Sequence, residues 1–257
     1  MPDTPLAGRR IVVTRPREHA EALAGELEQL GAATLVMPLL QIEPMQDADA
    51  ILLDSVLSDV ATYDWIVFTS ANGVASVQEH LEGRLAGAKI AAVGPATAGA
   101  VRALGVEPAF VPANYAAAEI VEGMGELEGR RVLLPQADIA DPWLADQIRA
   151  AGASVDAVVA YRTVALDPSA VEAAELEQGV DAVVLASGSA ARSLAALAAK
   201  FPGVAKELQQ TLVVAIGPKT ADAAREVALP VGLVADEASA EGIIHALTTH
   251  FEDEQRK

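Results

Sequence analysis

Two Gly-Pro pairs, Gly94-Pro95 and Gly217-Pro218, stand where an apolar run gives way to a helical pattern. Proline suits the first turn of a helix, and glycine admits close approach or a positive φ. A helix that starts this way leaves its first N–H groups bare. Together with the helix dipole, those groups attract anions. Thr97 and Thr220 follow each pair closely, where a hydroxyl could meet the same anion, and Lys219 adds a cation to the second copy. Two more turns are placed alike, Thr69-Ser70-Ala71-Asn72-Gly73 and Ser187-Gly188-Ser189. Ser, Thr and Asn are good N-caps, and capping accounts for each of them singly. Arg15, ahead of Pro16, puts a guanidinium at the carboxyl end of the first apolar run. It could grip a carboxylate through two parallel bonds. Arg17 reads as surface solubility. Tyr161, in the apolar stretch AYRT beside Arg162, offers a phenol able to give a proton to a leaving hydroxyl. The alternative is a packed ring with its hydroxyl in water. These residues suit the binding of a ligand rich in carboxylates or phosphates, with one candidate proton donor.

Other chemistries lack their residues. The chain has no cysteine, which removes disulfides, thiolate nucleophiles, iron–sulfur clusters and thiolate zinc sites. His19, His80, His245 and His250 show no metal-ligand spacing, and neither HExxH nor GxSxG occurs. The one GxG, Gly123-Met124-Gly125, precedes a predicted strand instead of following one, and no P-loop is present. No metal and no cofactor are therefore expected. With 18 basic against 36 acidic residues the net charge is −18. A nucleic-acid partner needs basic surface to displace counterions, so none is expected. No long apolar run and no secretory h-region are visible, which points to a cytoplasmic protein without a membrane partner.

Behind these residues, short Val/Ile/Leu runs alternate with helical patterns. Strands are predicted at 10–14, 65–69, 89–93, 109–112, 131–134, 155–163, 182–186, 212–216 and 231–234, with helices such as 18–30, 96–104 and 220–227. Apolar runs without polar alternation read as strands covered on both faces, so the fold class is α/β with parallel sheets. The chain also repeats itself. AVGPATAGAVR (92–102) matches AIGPKTADAAR (215–225) at an offset of 123. DWIVFTSANGVASV (64–77) resembles DAVVLASGSAARSL (181–194) at 117, and GRRIVVTRP (8–16) resembles GRRVLLPQA (129–137) at 121. Two copies of one βα-based unit are read from this, with a ligand cleft expected between them. The repeat does not place the boundary, because MPLLQIEP (37–44) and VVAYRTVAL (158–166) are both extended and could cross between domains.

VVTRP, DWIVFTSANGV, AAVGPATAGAVRALG, GRRVLLPQAD, AGASVDAVVAYRTV and AIGPKTADAAREVA, in this order and spacing, resemble the uroporphyrinogen-III synthase family over nearly the whole chain. The resemblance implies two flavodoxin-like domains, one formed by 1–36 with 166–257 and the other by 43–158. Segments 37–42 and 159–165 would join them as a two-stranded ladder. It also implies a cofactor-free cyclising lyase that closes the linear tetrapyrrole hydroxymethylbilane to uroporphyrinogen III, with loss of water and inversion of ring D. Tyr161 matches the family tyrosine suggested to assist departure of the hydroxyl, and Thr69, Ser70 and Thr220 match positions expected in the cleft. The sequence departs from the family pattern at Gln136, where arginine is common, and at Ala186, where threonine is common. Gln136 stays among the expected substrate-binding residues. The enzyme that makes the bilane is a possible partner on this reading, and a monomer is the default state.

Two other classes compete. A duplicated two-lobed α/β protein could be a noncatalytic cytoplasmic sensor for a small anion. A regulatory derivative of the synthase would carry a DNA-binding region, for which the acidic end EDEQRK offers no charge.

Overall fold

The computed structural model describes residues 4–81, 87–112, 117–166 and 168–256. In chain order the elements are β1 (Arg10–Val13), α1 (Arg17–Gln29), β2 (Ala33–Val36), β3 (Leu40–Pro44), α2 (Asp47–Ser58), β4 (Trp65–Phe68), α3 (Ala71–Leu81), β5 (Lys89–Ala92), α4 (Pro95–Ala103), α5 (Ala117–Gly123) and β6 (Arg131–Ala137). They continue with α6 (Trp143–Ala150), β7 (Ser154–Ala165), α7 (Ala170–Glu177), β8 (Ala182–Leu185), α8 (Gly188–Lys200), α9 (Pro202–Leu208), β9 (Leu212–Ala215), α10 (Pro218–Glu226), β10 (Val231–Val234) and α11 (Ala240–Gln255). The chain divides into two compact units, Met1–Gln41 with Val164–Lys257 and Ile42–Thr163. The chain passes from one to the other within β3 and again within β7.

The first unit holds a sheet ordered β10-β9-β8-β1-β2, and its pairs are parallel. Val12, Val183 and Val213 point into one core with Leu194 and Leu197 of α8. Their neighbours Val13, Val184 and Val214 point into another with Leu23 and Leu27 of α1 and Ile243 and Leu247 of α11. Helices cover both faces, which is why these strands carry no polar alternation.

The second unit holds a sheet ordered β3-β7-β6-β4-β5, with β5, β4, β6 and β7 successively parallel. Ile66, Phe68 and Leu133 pack with Val74 and Val77 of α3 on one face. Trp65, Val67, Val132 and Leu134 pack with Ile148 of α6 and Ile120 of α5 on the other.

The order β5-β4-β6-β7 corresponds to β9-β8-β1-β2, strand for strand, along the sequence repeat. At the amino ends of these strands each unit carries the same clamp. The Asp181 carboxylate accepts from the Arg10 N–H at 2.8 Å and from Arg9 Nη1 at 2.9 Å. The Asp64 carboxylate accepts from the Arg131 N–H at 2.9 Å and from Arg130 Nη1 at 2.9 Å. Each aspartate thus ties the start of one strand to the Gly-Arg-Arg start of its neighbour. These charge-assisted bonds fix register at the edge away from the candidate ligand residues.

Three sequence expectations need correction. β2 lies in a stretch with no predicted strand. It is an outer strand, it pairs only with β1, and its residues are exposed or half-buried. Its apolar residues run on into Met37 and the extended stretch to Pro44, so the sequence shows one segment where the chain forms two strands. Conversely, 109–112 is a single bridge, Ala91 to Phe110, and not a strand. Pro108 and Pro112 flank it, and proline has no N–H to extend a ladder. Both Gly-Pro helices also begin at the proline itself, earlier than predicted. No helix among the described residues is long and apolar enough to cross a membrane.

Candidate functional site

In open parallel sheets, ligands sit beyond the carboxyl ends of strands where the chain reverses its direction of winding. That reversal falls between β4 and β6 in the second unit and between β8 and β1 in the first. The expected site residues stand at these ends.

In the second unit, Ser70 precedes α3. Its Oγ accepts from the Gly73 N–H at 3.0 Å, an ordinary N-cap contact. The same Oγ lies 2.8 Å from the Tyr161 hydroxyl, so the cap of α3 and the phenol of β7 form one hydrogen-bonded pair. A Cβ on Gly73 would come within 3.3 Å of the Pro135 carbonyl oxygen, so the start of α3 rides close over β6. Thr69 is exposed beside this pair, and Asn72 and Gln136 are half-buried.

Tyr161 reaches Ser70 because β7 carries an irregularity. Gln136 pairs with Val159, but Ala137 pairs with Tyr161, so one extra residue stands on β7. Strict alternation would send residue 161 to the face of Val155 and Ala157, which pack with Ile148. The bulge reverses the parity, and Tyr161 joins Phe68, Val74 and Ala160 on the opposite face. The ring is 5% exposed. Burial pushes the phenol above its ordinary pKa; the Ser70 hydrogen bond opposes this, and the Asp138 charge reinforces it. At neutral pH the phenol is therefore protonated.

Gly94 precedes α4 and Gly217 precedes α10. Both are extended, with φ of −153° and −178°, and neither helix start has a side-chain cap. A positive φ is not what these glycines supply, and a Cβ on Gly94 would meet nothing within 4 Å. Their effect is to leave the first N–H groups of each helix uncovered. Thr97 and Thr220 are only 5% and 6% exposed. Main-chain N–H groups are thus better placed than these hydroxyls to meet a ligand.

In the first unit, Ser187 caps α8 by accepting from the Ala190 N–H at 3.1 Å. Gly188 and Ser189 are half-buried, and Ser189 Oγ accepts from Arg192 Nη2 at 3.3 Å. A Cβ on Gly188 would lie 2.8 Å from the Ala223 Cβ, so this glycine serves the close packing of α8 on α10. Lys219 is exposed. Arg15 is half-buried, and its guanidinium makes no ion pair or hydrogen bond among the described residues. Burial lowers its pKa, yet arginine remains charged at neutral pH. A partly desolvated cation with no partner favours an anionic ligand.

Sequence reasoning missed Asp138, which touches both Tyr161 and Thr163, and the paired Asp64 and Asp181 clamps. The clamps had a signal, because each aspartate heads its strand in the repeat. No cluster of metal-ligating side chains occurs among the described residues, and the side chain of His19 lies outside them.

Comparison with known proteins adds to this geometry. The family model "Uroporphyrinogen-III synthase HemD" matches residues 21–245. A uroporphyrinogen-III synthase of Synechococcus elongatus is 27% identical over 96% of this chain and 97% of its own. A porphyrin biosynthesis protein HemD of Ruminiclostridium josui is 28% identical over 95% of this chain, which spans 49% of that longer protein. Among solved structures, a mutant uroporphyrinogen III synthase of Thermus thermophilus superposes with a TM-score of 0.64 at 20% identity, over 96% of this chain and all of its own. The Helicobacter pylori uroporphyrinogen-III synthetase gives 0.61 at 19% identity, over 94% and 99%. At these identities the superpositions speak for the α/β fold, and the family model, with the full-length relative, speaks for descent: the chain belongs to the uroporphyrinogen-III synthase family.

Proposed function

We propose that this chain closes hydroxymethylbilane to uroporphyrinogen III, losing water and inverting ring D. The observation that carries the assignment of roles is the contact of 2.8 Å between the Tyr161 hydroxyl and Ser70 Oγ, at the carboxyl edge of the second unit's sheet. The protonated phenol gives its proton to the departing hydroxyl of the bilane, so that the C–O bond breaks and water leaves. The pyrrole nitrogen takes up the positive charge, so the product is an electrophilic azafulvenium ion. The substituted carbon of ring D attacks it and forms a spiro intermediate, which fragments and recloses in the inverted sense. A proton is lost as the last ring regains aromaticity, and the overall change is loss of water. Closure without the enzyme yields the uninverted isomer. The main work is therefore to hold a reactive chain in one conformation.

The substrate is dense in carboxylates. The uncapped starts of α4 and α10 and the starts of α3 and α8 offer main-chain donors and dipoles for them. Arg15 offers a charge-assisted bond. Thr69, Asn72, Gln136, Ser189 and Lys219, with the main-chain N–H groups of Thr97 and Thr220, complete the proposed binding set. These donors are local, so the net charge of −18 is no obstacle, because repulsion is screened beyond about 8 Å at physiological salt.

The fold is read as two flavodoxin-like domains from an internal duplication. The matched strand orders and the twin Asp–Arg-Arg clamps support this. The domains are 1–36 with 166–257 and 43–158, joined by 37–42 and 159–165, and the protein is read as a cytoplasmic monomer. The deciding experiment is the isomer ratio. Purified protein is incubated with fresh hydroxymethylbilane, and the oxidised products are separated by chromatography. Predominantly type III is expected, and type I at the uncatalysed rate would overturn the proposal.

A further inference from the structure

Regular pairing of β6 with β7 ends at Ala137 and Tyr161, just past the bulge. The next two contacts are both made by Asp138. Its N–H donates to the Tyr161 carbonyl at 3.1 Å. Its Oδ1 accepts from the Thr163 N–H at 2.9 Å, one residue past the end of β6. The side chain thus stands in for the missing strand partner and brackets Arg162 from both sides. Arg162 is turned outward and pairs with Asp49 at 2.6 Å. Asp138, Arg162 and Asp49 line the same hollow of about 240 Å³.

We infer that Asp138 is a positioning residue for Tyr161: its carboxylate holds the turned segment of β7 in the register that brings the phenol to Ser70. A bulge inserted without a restraint after it can slip by one residue, and a slip of one sends every later side chain to the other face. The Thr163 anchor blocks that slip. It acts through a backbone contact, so the position of the acceptor oxygen matters more than its charge. Asp138 is itself exposed, so its replacement leaves the core of the unit intact.

This rests on Tyr161 being the proton donor, and the experiment separates the two assignments. Turnover and KM are measured for Asp138→Ala, Asp138→Asn and Asp138→Glu, alone and with Tyr161→Phe, and melting is followed for each. Asn keeps an acceptor oxygen in place and loses the charge; Glu keeps the charge and moves the acceptor. Asp138→Ala is expected to lower kcat about tenfold with KM changed less than about twofold, as for an interaction that matters in the transition state. Asp138→Glu is expected to lose several-fold and to serve in place of the Ala variant if that does not fold. Asp138→Asn is expected to stay within about twofold of the parent. In the Tyr161→Phe background the Asp138 substitutions are expected to add almost nothing. The inference fails if Tyr161→Phe lowers kcat while Asp138→Ala and Asp138→Glu do not. It fails equally if the effects multiply in the double variant, or if Asn is as damaging as Ala. Full turnover in Tyr161→Phe alone would instead remove the assignment of Tyr161, and the positioning role with it.

Discussion

At the carboxyl end of β1 stands Arg15; at the matching end of β6 stands Gln136. The frames around them are alike. An Asp–Arg-Arg clamp closes the amino edge of each sheet, a serine caps the helix after β4 and after β8, and a Gly-Pro pair opens the helix after β5 and after β9. What differs lies at the carboxyl edge. The first unit has a half-buried guanidinium with no ion pair or hydrogen bond among the described residues, and its sequence holds no tyrosine. The second has an uncharged amide and a buried phenol bonded to its serine cap. On the proposed reading, a duplicated frame has kept its register devices and divided its chemistry, with charge for carboxylates at one carboxyl edge and a proton at the other.

The placing of the phenol follows from strand length. Ala33 pairs with Arg10 as Ser154 pairs with Arg131, so β2 ends at the position that matches Ala157. β7 continues to Ala165. The bulge, Tyr161 and the Thr163 anchor all lie in that extension, which has no counterpart in β2.

The largest expected effect tests the phenol. Tyr161→Phe should lower kcat by about tenfold to a hundredfold, at or below the low end for a general acid because Ser70 remains nearby. The fold should stand, since only a hydroxyl is removed from a well-packed ring. Steady-state kinetics beside a melting curve would check this, and an unchanged kcat would return Tyr161 to a packing role.

Next comes the charge. Arg15→Gln gives the first unit the side chain of the second. It should raise KM about tenfold, the worth of one charge-assisted bond, with kcat less affected. Gln136→Arg is the reverse exchange and should lower KM. If both variants leave KM unchanged, the two ends do not differ in carboxylate binding. A smaller pair of effects separates capping from catalysis. Ser70→Ala and Ser187→Ala should each cost about 1 kcal/mol of stability, because each removes an N-cap acceptor. Only Ser70→Ala should also slow turnover, because only Ser70 touches the phenol. Equal kinetic effects would erase the distinction.

How much of this was legible in the sequence depends on whether one residue carries its own signal. Ala182–Leu185 is visible as an apolar strand because both of its faces are covered. Gly94 and Gly217 are visible as helix starts because proline follows each. Tyr161 is visible as a candidate, but its direction is not. The direction depends on one extra residue in the pairing of β7 with β6, and pairing is a property of two strands. Asp138 is hidden for the same reason, since its partner Thr163 is 25 residues away. β2 is hidden because its apolar residues run straight on into Met37 and the extended stretch to Pro44, so two strands read as one segment.

The least effect expected is on stability at alkaline pH, and it too divides the units. The three tyrosines of the chain, Tyr63, Tyr115 and Tyr161, all fall in the second unit. Burial, first of all, raises the pKa of Tyr161, and burial with the Asp156 hydrogen bond raises that of Tyr63. A phenol whose folded pKa exceeds its unfolded value stabilises the fold fully below the unfolded value, near pH 10. As pH rises further, the unfolded chain gives up its proton first, and the contribution is lost as pH passes through the folded value. Hydrogen exchange between pH 9 and about 11, corrected for its intrinsic rate, should therefore show segments of the second unit losing protection before those of the first. Tyr161→Phe and Tyr63→Phe should each reduce that difference, because phenylalanine has no proton to lose. Equal loss in both units, or a difference untouched by either substitution, would mean that the phenols do not set the alkaline limit.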